Sequence, residues 1–158
     1  FPYTTLFRSW QGLVAGIVGA AVARFNARGV ASADIRVAIG PGIKAGCYEV
    51  SAGFIEALQV GHGRLWEGAV PPWSQRRPLP ERPPRFAPPE PRQAEQGAWL
   101  DLVAFCRQLF QAAGVGPAQI EASAVCTYCS GDAFASHRRR QRLGEEKRQQ
   151  YAWIARKP

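Results

Sequence analysis

A proline-rich segment is the feature that most constrains how this chain can fold. Nine of its thirteen prolines lie between Pro71 and Pro91, within a stretch from residue 67 to about residue 97 that also carries five arginines. Because proline fixes its backbone φ angle and lacks an amide proton, such a stretch favours polyproline II over regular helix. We expect residues 67–97 to be a loop or linker inserted into a single domain. A ligand for an aromatic groove is the alternative.

Composition and charge define the broad class of protein. The 158 residues are 46% hydrophobic and 20% charged, which argues against a wholly disordered or fibrous chain. A chain of this length can bury one core without disulfides. Its net charge of +8 favours anionic partners such as phosphate esters or nucleic acid. Four cysteines and no recognisable signal peptide predict free thiols and a cytoplasmic location.

The longest apolar run covers residues 13–23. It is too short to cross a membrane, which takes about 20 residues, so we expect no membrane span. Apolar residues recur at helical spacing on nearly every face, and this pattern predicts a buried helix from Leu13 to Phe25. Gly12, Gly16 and Gly19 lower its helix propensity, so we expect them to allow close packing against a neighbouring element.

The rest of the chain shows both helical and strand periodicity. Helices are predicted from Ala52 to Leu58 and from Leu102 to Ala113, the second ended by Gly114. Strands are predicted at four places: Ile35 to Ile39, Cys47 to Val50, Ile120 to Cys126 and Gln150 to Ala155. Helices and strands alternate without a regular repeat, which indicates an α/β (α+β layered) fold, a mixed β-sheet with packed helices.

Cys126 and Cys129 form a CxxC pair, a spacing that suits one zinc ion or a redox pair. A structural zinc needs four ligands; His137 is a candidate third, and Cys47 or Cys106 a candidate fourth. Cys106 lies on the apolar face of its predicted helix, which is typical of a core cysteine. A thioredoxin-like role requires a strand-to-helix turn, and here the pair leaves a strand into a polar loop. The favoured interpretation is therefore cysteines without a ligand role.

The densest basic stretch extends from His137 to Arg148. A solvated surface is the usual interpretation of such a run, and Glu145 and Glu146 interrupt it. The planar guanidinium group suits phosphate oxygens, so Arg138 and Arg139 are candidate anion-binding residues. The alternative function is a basic nucleic-acid-binding module that uses this stretch and the arginines of the proline-rich segment. Nucleic acid is the less favoured partner because no aromatic-interleaved or helix-turn-helix pattern accompanies the charge.

Four segments occur in the same order as the motifs of a known family. They are Trp10-Gln11-Gly12-Leu13; Ile39-Gly40-Pro41-Gly42-Ile43 with Cys47-Tyr48-Glu49-Val50; Asp101-Leu102-Val103-Ala104 through Ala113-Gly114-Val115; and Cys126-Thr127-Tyr128-Cys129 followed by Ser136-His137-Arg138-Arg139. Together they resemble the laccase-domain family, whose members are called polyphenol oxidases and are regarded as purine nucleoside phosphorylases. The resemblance implies that residues 10–158 are the C-terminal part of a single laccase-like domain, an incomplete portion of that fold.

The resemblance also implies an activity and a metal. It implies phosphorolysis of purine nucleosides such as adenosine and inosine, and adenosine deamination, at a site where two histidines and one cysteine hold zinc or copper. Phe7 stands where the family has one of these histidines, and nothing before it can supply the other ligands, so we expect none of them in this chain. Arg138 and Arg139 match a family motif and are expected to bind phosphate. We expect this chain alone neither to hold the family's metal nor to turn over nucleosides.

Residues 1–9, FPYTTLFRS, resemble the translation of a sequencing adaptor, so we expect the biological sequence to begin at Trp10. The N-terminal half of the family's domain would then be missing from the chain. A helix as apolar as the one predicted from Leu13 to Phe25 needs partners on several sides. We therefore expect exposed apolar surface and a lower stability than that of a complete domain.

Overall fold

The computed structural model describes residues 10–79 and 97–148. The predicted adaptor translation, most of the proline-rich segment and the predicted strand from Gln150 to Ala155 lie outside these ranges. Within them the helices and strands are, in chain order, α1 (Trp10–Val14), α2 (Ile17–Asn26), β1 (Val37–Ile39), β2 (Glu49–Ser51), α3 (Ala52–His62), β3 (Trp73–Ser74), β4 (Gly97–Leu100), α4 (Leu102–Ala112), β5 (Ile120–Ala122) and α5 (His137–Leu143).

The described strands form two small sheets. In the first, β1 and β5 run parallel, with Val37 opposite Ile120 and Ile39 opposite Ala122. In the second, β4 is the central strand and is antiparallel to both β2 and β3. Helix α3 packs against β2 and β4, and α2 packs against α4. The predicted α/β class is confirmed, with two short sheets in place of the single mixed sheet.

Helix α4 begins and ends where its sequence predicts. The carboxylate of Asp101 accepts hydrogen bonds from the backbone amides of Val103 and Ala104, each 2.9 Å long, and so caps the first turn. Gly114 has a φ of 87°, in the left-handed region that commonly ends a helix. The prediction of this helix and of its glycine stop is confirmed.

The strands are shorter than the sequence predicts. β5 ends at Ala122 rather than at Cys126, because its partner β1 ends at Ile39. Two residues after Ile39, Pro41 lacks the amide proton that further hydrogen bonds between the two strands would need. Similarly, Cys47 lies in a 3-10 turn just before β2 rather than in the strand itself. Both cysteines are therefore placed in turns that follow or precede a strand.

The proline-rich segment contributes to the second sheet, so the prediction of a simple loop or linker over residues 67–97 is wrong at two places. β3 lies inside the segment, and β4 begins at its end. β4 is deeply buried, and Leu100 is 0% exposed. These residues show no strand alternation that sequence analysis could use. Their conformation comes from the pairing of β4 with both β2 and β3, because strand preference depends strongly on tertiary context.

Two apolar clusters form the core of the part of the chain that the structure describes. The larger joins β2 and β4 to α3 and α4, and consists of Tyr48, Val50, Ile55, Leu58, Trp66, Ala98, Leu100 and Phe105. The smaller lies between the first sheet and α2, and consists of Val22, Ile35, Val115 and Ile120.

The predicted buried helix from Leu13 to Phe25 is wrong in two respects. Gly16 has a φ of 82° and separates α1 from α2, so a left-handed turn accounts for this glycine rather than close packing. In addition, α2 buries only one side, at Val18 and Val22, whereas Phe25 is 51% exposed. The apolar residues on the other faces of α2 are exposed.

The outer face of α2 is open. Ile17 is 41% exposed, and a Cβ placed on Gly19 would meet no described atom within 4 Å. The close packing expected at Gly19 is therefore not found. The expectation of exposed apolar surface is met on this helix. None of the described helices has the length and apolar character needed to cross a membrane.

Candidate functional site

A cavity of about 340 Å³ opens where α1, β2, α3 and α5 meet. Helix α3 follows β2 directly, and the Ser51 hydroxyl at the junction accepts a 3.3 Å hydrogen bond from the Phe54 amide and caps the helix. Aromatic, acidic, basic and amide side chains line it: Trp10, Tyr48, Glu49, Val50, Ser51, Phe54, Arg138 and Gln141.

Arg138 is the cationic residue of this cavity. Its Nη1 donates a 2.9 Å hydrogen bond to the Glu49 carbonyl, and its Cζ lies 5.0 Å from the centroid of the Tyr48 ring. No other described residue accepts a hydrogen bond from its guanidinium group, which has five N–H donors. The side chain is therefore oriented by the protein and retains donors for an anionic ligand.

Aromatic side chains form the apolar part of the cavity. The rings of Trp10 and Phe54 meet edge to face, with centroids 4.7 Å apart and an interplanar angle of 79°. Burial raises the pKa of the Tyr48 hydroxyl, and the nearby charge of Arg138 lowers it by less. Tyr48 is therefore a neutral phenol at neutral pH. No sequence pattern predicts a function for these three residues, although Trp10 and Tyr48 belong to segments that carry the family resemblance.

Arg139 lies elsewhere, although it follows Arg138 directly. Consecutive residues of a helix point about 100° apart, so the two guanidinium groups reach different surroundings. Arg139 is 1% exposed and donates to the carbonyls of Thr127 at 2.7 Å and Phe134 at 2.9 Å. Its Nε also forms a 2.6 Å ion pair with Glu145. The basic stretch is thus not a uniformly solvated surface, and the phosphate contact of Arg139 stays a prediction.

A second group of candidate side chains consists of three cysteines. The Sγ atoms of Cys47, Cys126 and Cys129 all lie within 4.8 Å of one another, and the Cys47 and Cys129 sulfurs are 3.3 Å apart. Cys47 is 2% exposed. The structure thus brings Cys47 next to Cys126 and Cys129. The sequence had left open whether Cys47 or Cys106 would join this CxxC pair. Cys106 and His137, the other candidate ligands, are not in the group.

The three thiols differ in acidity because of their hydrogen bonds. The hydrogen bond from Cys47 lowers the pKa of Cys126, and the backbone amides of Lys44 and Cys129 add to this effect. The same interaction with Cys126 raises the pKa of Cys47, and burial raises that of Cys129. Cys126 is therefore the thiol that ionises first. A cluster of this kind can hold a metal ion.

The metal implied by the family resemblance requires two histidines and one cysteine, and the described residues do not fit this set. His62 Nε2 lies 3.3 Å from the Val14 carbonyl, and its ring packs on Phe105. His137 Nδ1 lies 3.1 Å from Nη2 of Arg140. Within residues 10–79 and 97–148, neither histidine joins a cysteine in a group of three possible ligands. Phe7 lies outside these residues.

The sequence of this chain matches the profile of a known protein family. Residues 8–154 match the profile of the multi-copper polyphenol oxidoreductase laccase family. The chain belongs to this family. The resemblance drawn from its four ordered motifs is thereby confirmed, and so is the expectation that the family contains enzymes.

Two relatives of this laccase-family chain carry names that specify an activity. It is 35% identical over 134 residues to the purine nucleoside phosphorylase YlmD of Geobacillus stearothermophilus, covering 82% of this chain and 40% of YlmD. It is 32% identical over 130 residues to the adenosine deaminase RL5 of an unknown prokaryotic organism, covering 82% of this chain and 42% of RL5.

Solved structures of the family share the fold. The chain matches the hypothetical protein YfiH of Bacillus licheniformis with a TM-score of 0.64 and 30% identity, over 84% of this chain and 43% of YfiH. It matches the YlmD structure of Geobacillus stearothermophilus with a TM-score of 0.65 and 31% identity, over 84% of this chain and 42% of YlmD. The laccase-family chain therefore spans less than half the length of these relatives.

Proposed function

We propose that this chain is the C-terminal part of a purine nucleoside phosphorylase and that its cavity binds nucleoside and phosphate. The observation that carries the proposal is the placement of Arg138, which lies beside the rings of a partly aromatic cavity and is oriented by the Glu49 carbonyl. Arginine suits phosphate oxygens, and aromatic rings suit the flat surface of a purine. The names of YlmD and RL5 support purine nucleosides as the substrate class.

The cavity residues have separate roles in this proposal. In phosphorolysis a phosphate oxygen forms a bond to the anomeric carbon of ribose while the bond from that carbon to the purine nitrogen breaks. The purine leaves and takes up a proton, and ribose 1-phosphate remains. Arg138 holds the phosphate dianion, while Trp10 and Phe54 contact the purine ring. The geometry supports binding and orientation by these residues.

We assign the phosphate contact to Arg138 rather than to Arg139. Both were candidates from the sequence, but the Arg139 guanidinium group already bonds to Glu145 and to backbone carbonyls. If the Arg139 guanidinium group moved to a ligand, these acceptors would lose their donor. Each buried acceptor left without a hydrogen bond lowers the stability of the fold by about 1–3 kcal/mol. Arg138 can accept a ligand without such a loss.

We propose that this chain alone binds nucleoside and phosphate but does not convert them to products. It spans 40% of the length of YlmD, and its described residues do not supply the histidine and cysteine set that the resemblance implies. We therefore expect inosine and phosphate to give no hypoxanthine above a blank. Formation of hypoxanthine that depends on both phosphate and chain would contradict this part of the proposal.

Isothermal titration with inosine in the presence of phosphate tests the binding role. We expect Arg138→Gln to weaken binding about tenfold or more, a loss of about 1.4 kcal/mol. Arg140→Gln is the matched control, because Arg140 is on the same helix but does not line the cavity. Absence of binding to the unaltered chain, or equal losses in the two variants, would overturn the proposal.

Adenosine deamination is a second candidate, supported by the name of RL5. In this reaction water replaces the amino group of the purine and ammonia is released. Ammonia release from adenosine without added phosphate distinguishes deamination from phosphorolysis. We expect none from this chain alone, for the same reason that we expect no hypoxanthine.

A further inference from the structure

We propose that Cys47, Cys126 and Cys129 bind one zinc ion through their three sulfurs and that this ion ties the two sheets together. The sulfurs already lie within 4.8 Å of one another. Tetrahedral zinc with bonds of about 2.3 Å places its sulfur ligands about 3.8 Å apart. The separation of 3.3 Å between Cys47 and Cys129 therefore needs to change by less than about 1 Å for an ion to be bound.

Hydrogen bonds within the protein hold the turn that carries Cys126 and Cys129. The Cys126 carbonyl accepts hydrogen bonds from the amide of Ser130 at 3.1 Å and from its hydroxyl at 2.6 Å. Arg139 donates to the next two carbonyls, those of Thr127 and Tyr128. Both sulfurs are thus presented by a rigid chelating turn, so little conformational entropy is lost when metal binds.

The segments that carry Cys47 and Cys126 are held side by side by the backbone. Gly42 and Cys126 form an isolated parallel bridge, and the Thr127 amide donates a 3.1 Å hydrogen bond to the Gly42 carbonyl. Zinc replaces the thiol protons, which pass to solvent, and this exchange makes the affinity rise with pH.

Arg77 supplies the charge that a three-thiolate zinc site requires. One Zn²⁺ and three thiolates carry a net charge of −1, which is costly to bury without a cation nearby. Arg77 Nε donates a 2.9 Å hydrogen bond to the carbonyl of Gly46, next to Cys47, and its charge acts on Cys129. Its buried Nη2 has no hydrogen-bond partner among the described residues. The Arg77 Cζ lies 4.7 Å from the centroid of the Trp99 ring, so the guanidinium group is held in place and Nη2 keeps a donor for an anionic group.

The position of the cluster in the fold gives the ion a structural role. Cys47 precedes β2 of the second sheet, whereas Cys126 follows β5 of the first. A bound ion therefore links the two sheets, and it fixes Tyr48 and Glu49 at the adjacent cavity. No fourth histidine, cysteine or carboxylate joins the group within the described ranges, so water completes the coordination.

The experiment uses the whole 158-residue chain, purified under reducing, oxygen-free conditions and supplied with zinc. We expect one zinc per chain by elemental analysis, with loss of at least about tenfold in affinity for Cys47→Ser, Cys126→Ser and Cys129→Ser. Cys106→Ser is the matched control, because this half-buried thiol is outside the cluster, and it should bind as the unaltered chain does.

X-ray absorption of the zinc-loaded unaltered chain gives a result that does not depend on whether the variants fold. We expect three sulfur neighbours at about 2.3 Å and one lighter neighbour. A shell of nitrogen and oxygen only, or zinc lost equally in Cys106→Ser, would overturn the proposal. So would retention of copper(I), supplied to a parallel sample, with no retention of zinc. Nucleoside binding is measured separately, so failure of either proposal leaves the other testable.

Discussion

Arg139 and Glu145 form a 2.6 Å ion pair in which the arginine side chain is 1% exposed and the glutamate 31%. The same guanidinium group donates to the carbonyls of Thr127 and Phe134. A residue from the most basic stretch of the chain thus anchors the turn that carries Cys126 and Cys129. This anchor also fixes the start of α5, and with it the position of Arg138 at the cavity.

Removing this anchor is expected to destabilise the protein. Arg139→Ala leaves several buried carbonyls and Glu145 without their donor, and we expect it to lower the free energy of unfolding by about 3 kcal/mol. Arg140→Ala, on the same helix, should cost less than about 1 kcal/mol. Urea denaturation followed by circular dichroism measures both values. Similar losses in the two variants would contradict the structural role of Arg139.

The two faces of α3 are expected to respond differently to truncation. Leu58 is 2% exposed, and Leu58→Ala should lower the free energy of unfolding by about 2–5 kcal/mol because it leaves a cavity in the core. Val60, on the same helix, is 91% exposed, and Val60→Ala should change it by less than about 0.5 kcal/mol. Equal denaturation midpoints for the two variants would contradict the observed packing of this helix.

The open face of α2 is expected to bind hydrophobic dyes and to promote association. Ile17 and Phe25 are 41% and 51% exposed, so the double change Ile17→Gln, Phe25→Gln should reduce dye fluorescence with little loss of stability. The double change Val18→Gln, Val22→Gln is the contrast, because these buried residues should be required for folding. Unchanged dye binding after the first double change would show that another surface is responsible.

Cys106 is expected to react slowly with alkylating reagents. Burial raises its pKa to about 11, so at pH 8 about one thiol in a thousand is ionised. A free cysteine has a pKa of about 8.5 and is about one quarter ionised at that pH. We expect alkylation by iodoacetamide to be at least about a hundredfold slower in the native chain than in urea, and to accelerate as the pH rises toward 11. Mass spectrometry of the Cys106 peptide measures the rate, and equal rates would refute the burial.

Binding to nucleic acid separates the phosphorylase proposal from the basic-module alternative. A chain of net charge +8 is expected to bind a DNA duplex weakly at low salt and to lose this binding between about 50 mM and 200 mM salt. Fluorescence anisotropy across that range measures it. Affinity that persists at the higher salt and depends on Lys147 and Arg148 would favour the nucleic-acid-binding module.

Sequence patterns predicted those parts of the fold that depend on neighbouring residues. Asp101 and Gly114 fix the two ends of α4 through local hydrogen bonds and backbone conformation, and the helix from Leu102 and its Gly114 stop were predicted from the sequence. Sequence patterns did not predict the parts of the fold that depend on which faces become buried. Residues 13–25 are apolar on nearly every face, but periodicity does not show whether neighbouring elements cover those faces, and α2 is covered on one side only.

Sequence patterns were enough to predict the α/β class, helix α4 with its glycine stop and, through four ordered motifs, the family. Tertiary structure alone decided which of two adjacent arginines faces the cavity and which cysteines meet. Cys47 and Cys129 are 82 residues apart in the chain, and Arg138 is 89 residues from the carbonyl that orients it. Contacts at such separations arise when strands pair and bring distant turns together. No local propensity encodes them, because the free energy that selects them comes from burial and pairing of the whole fold.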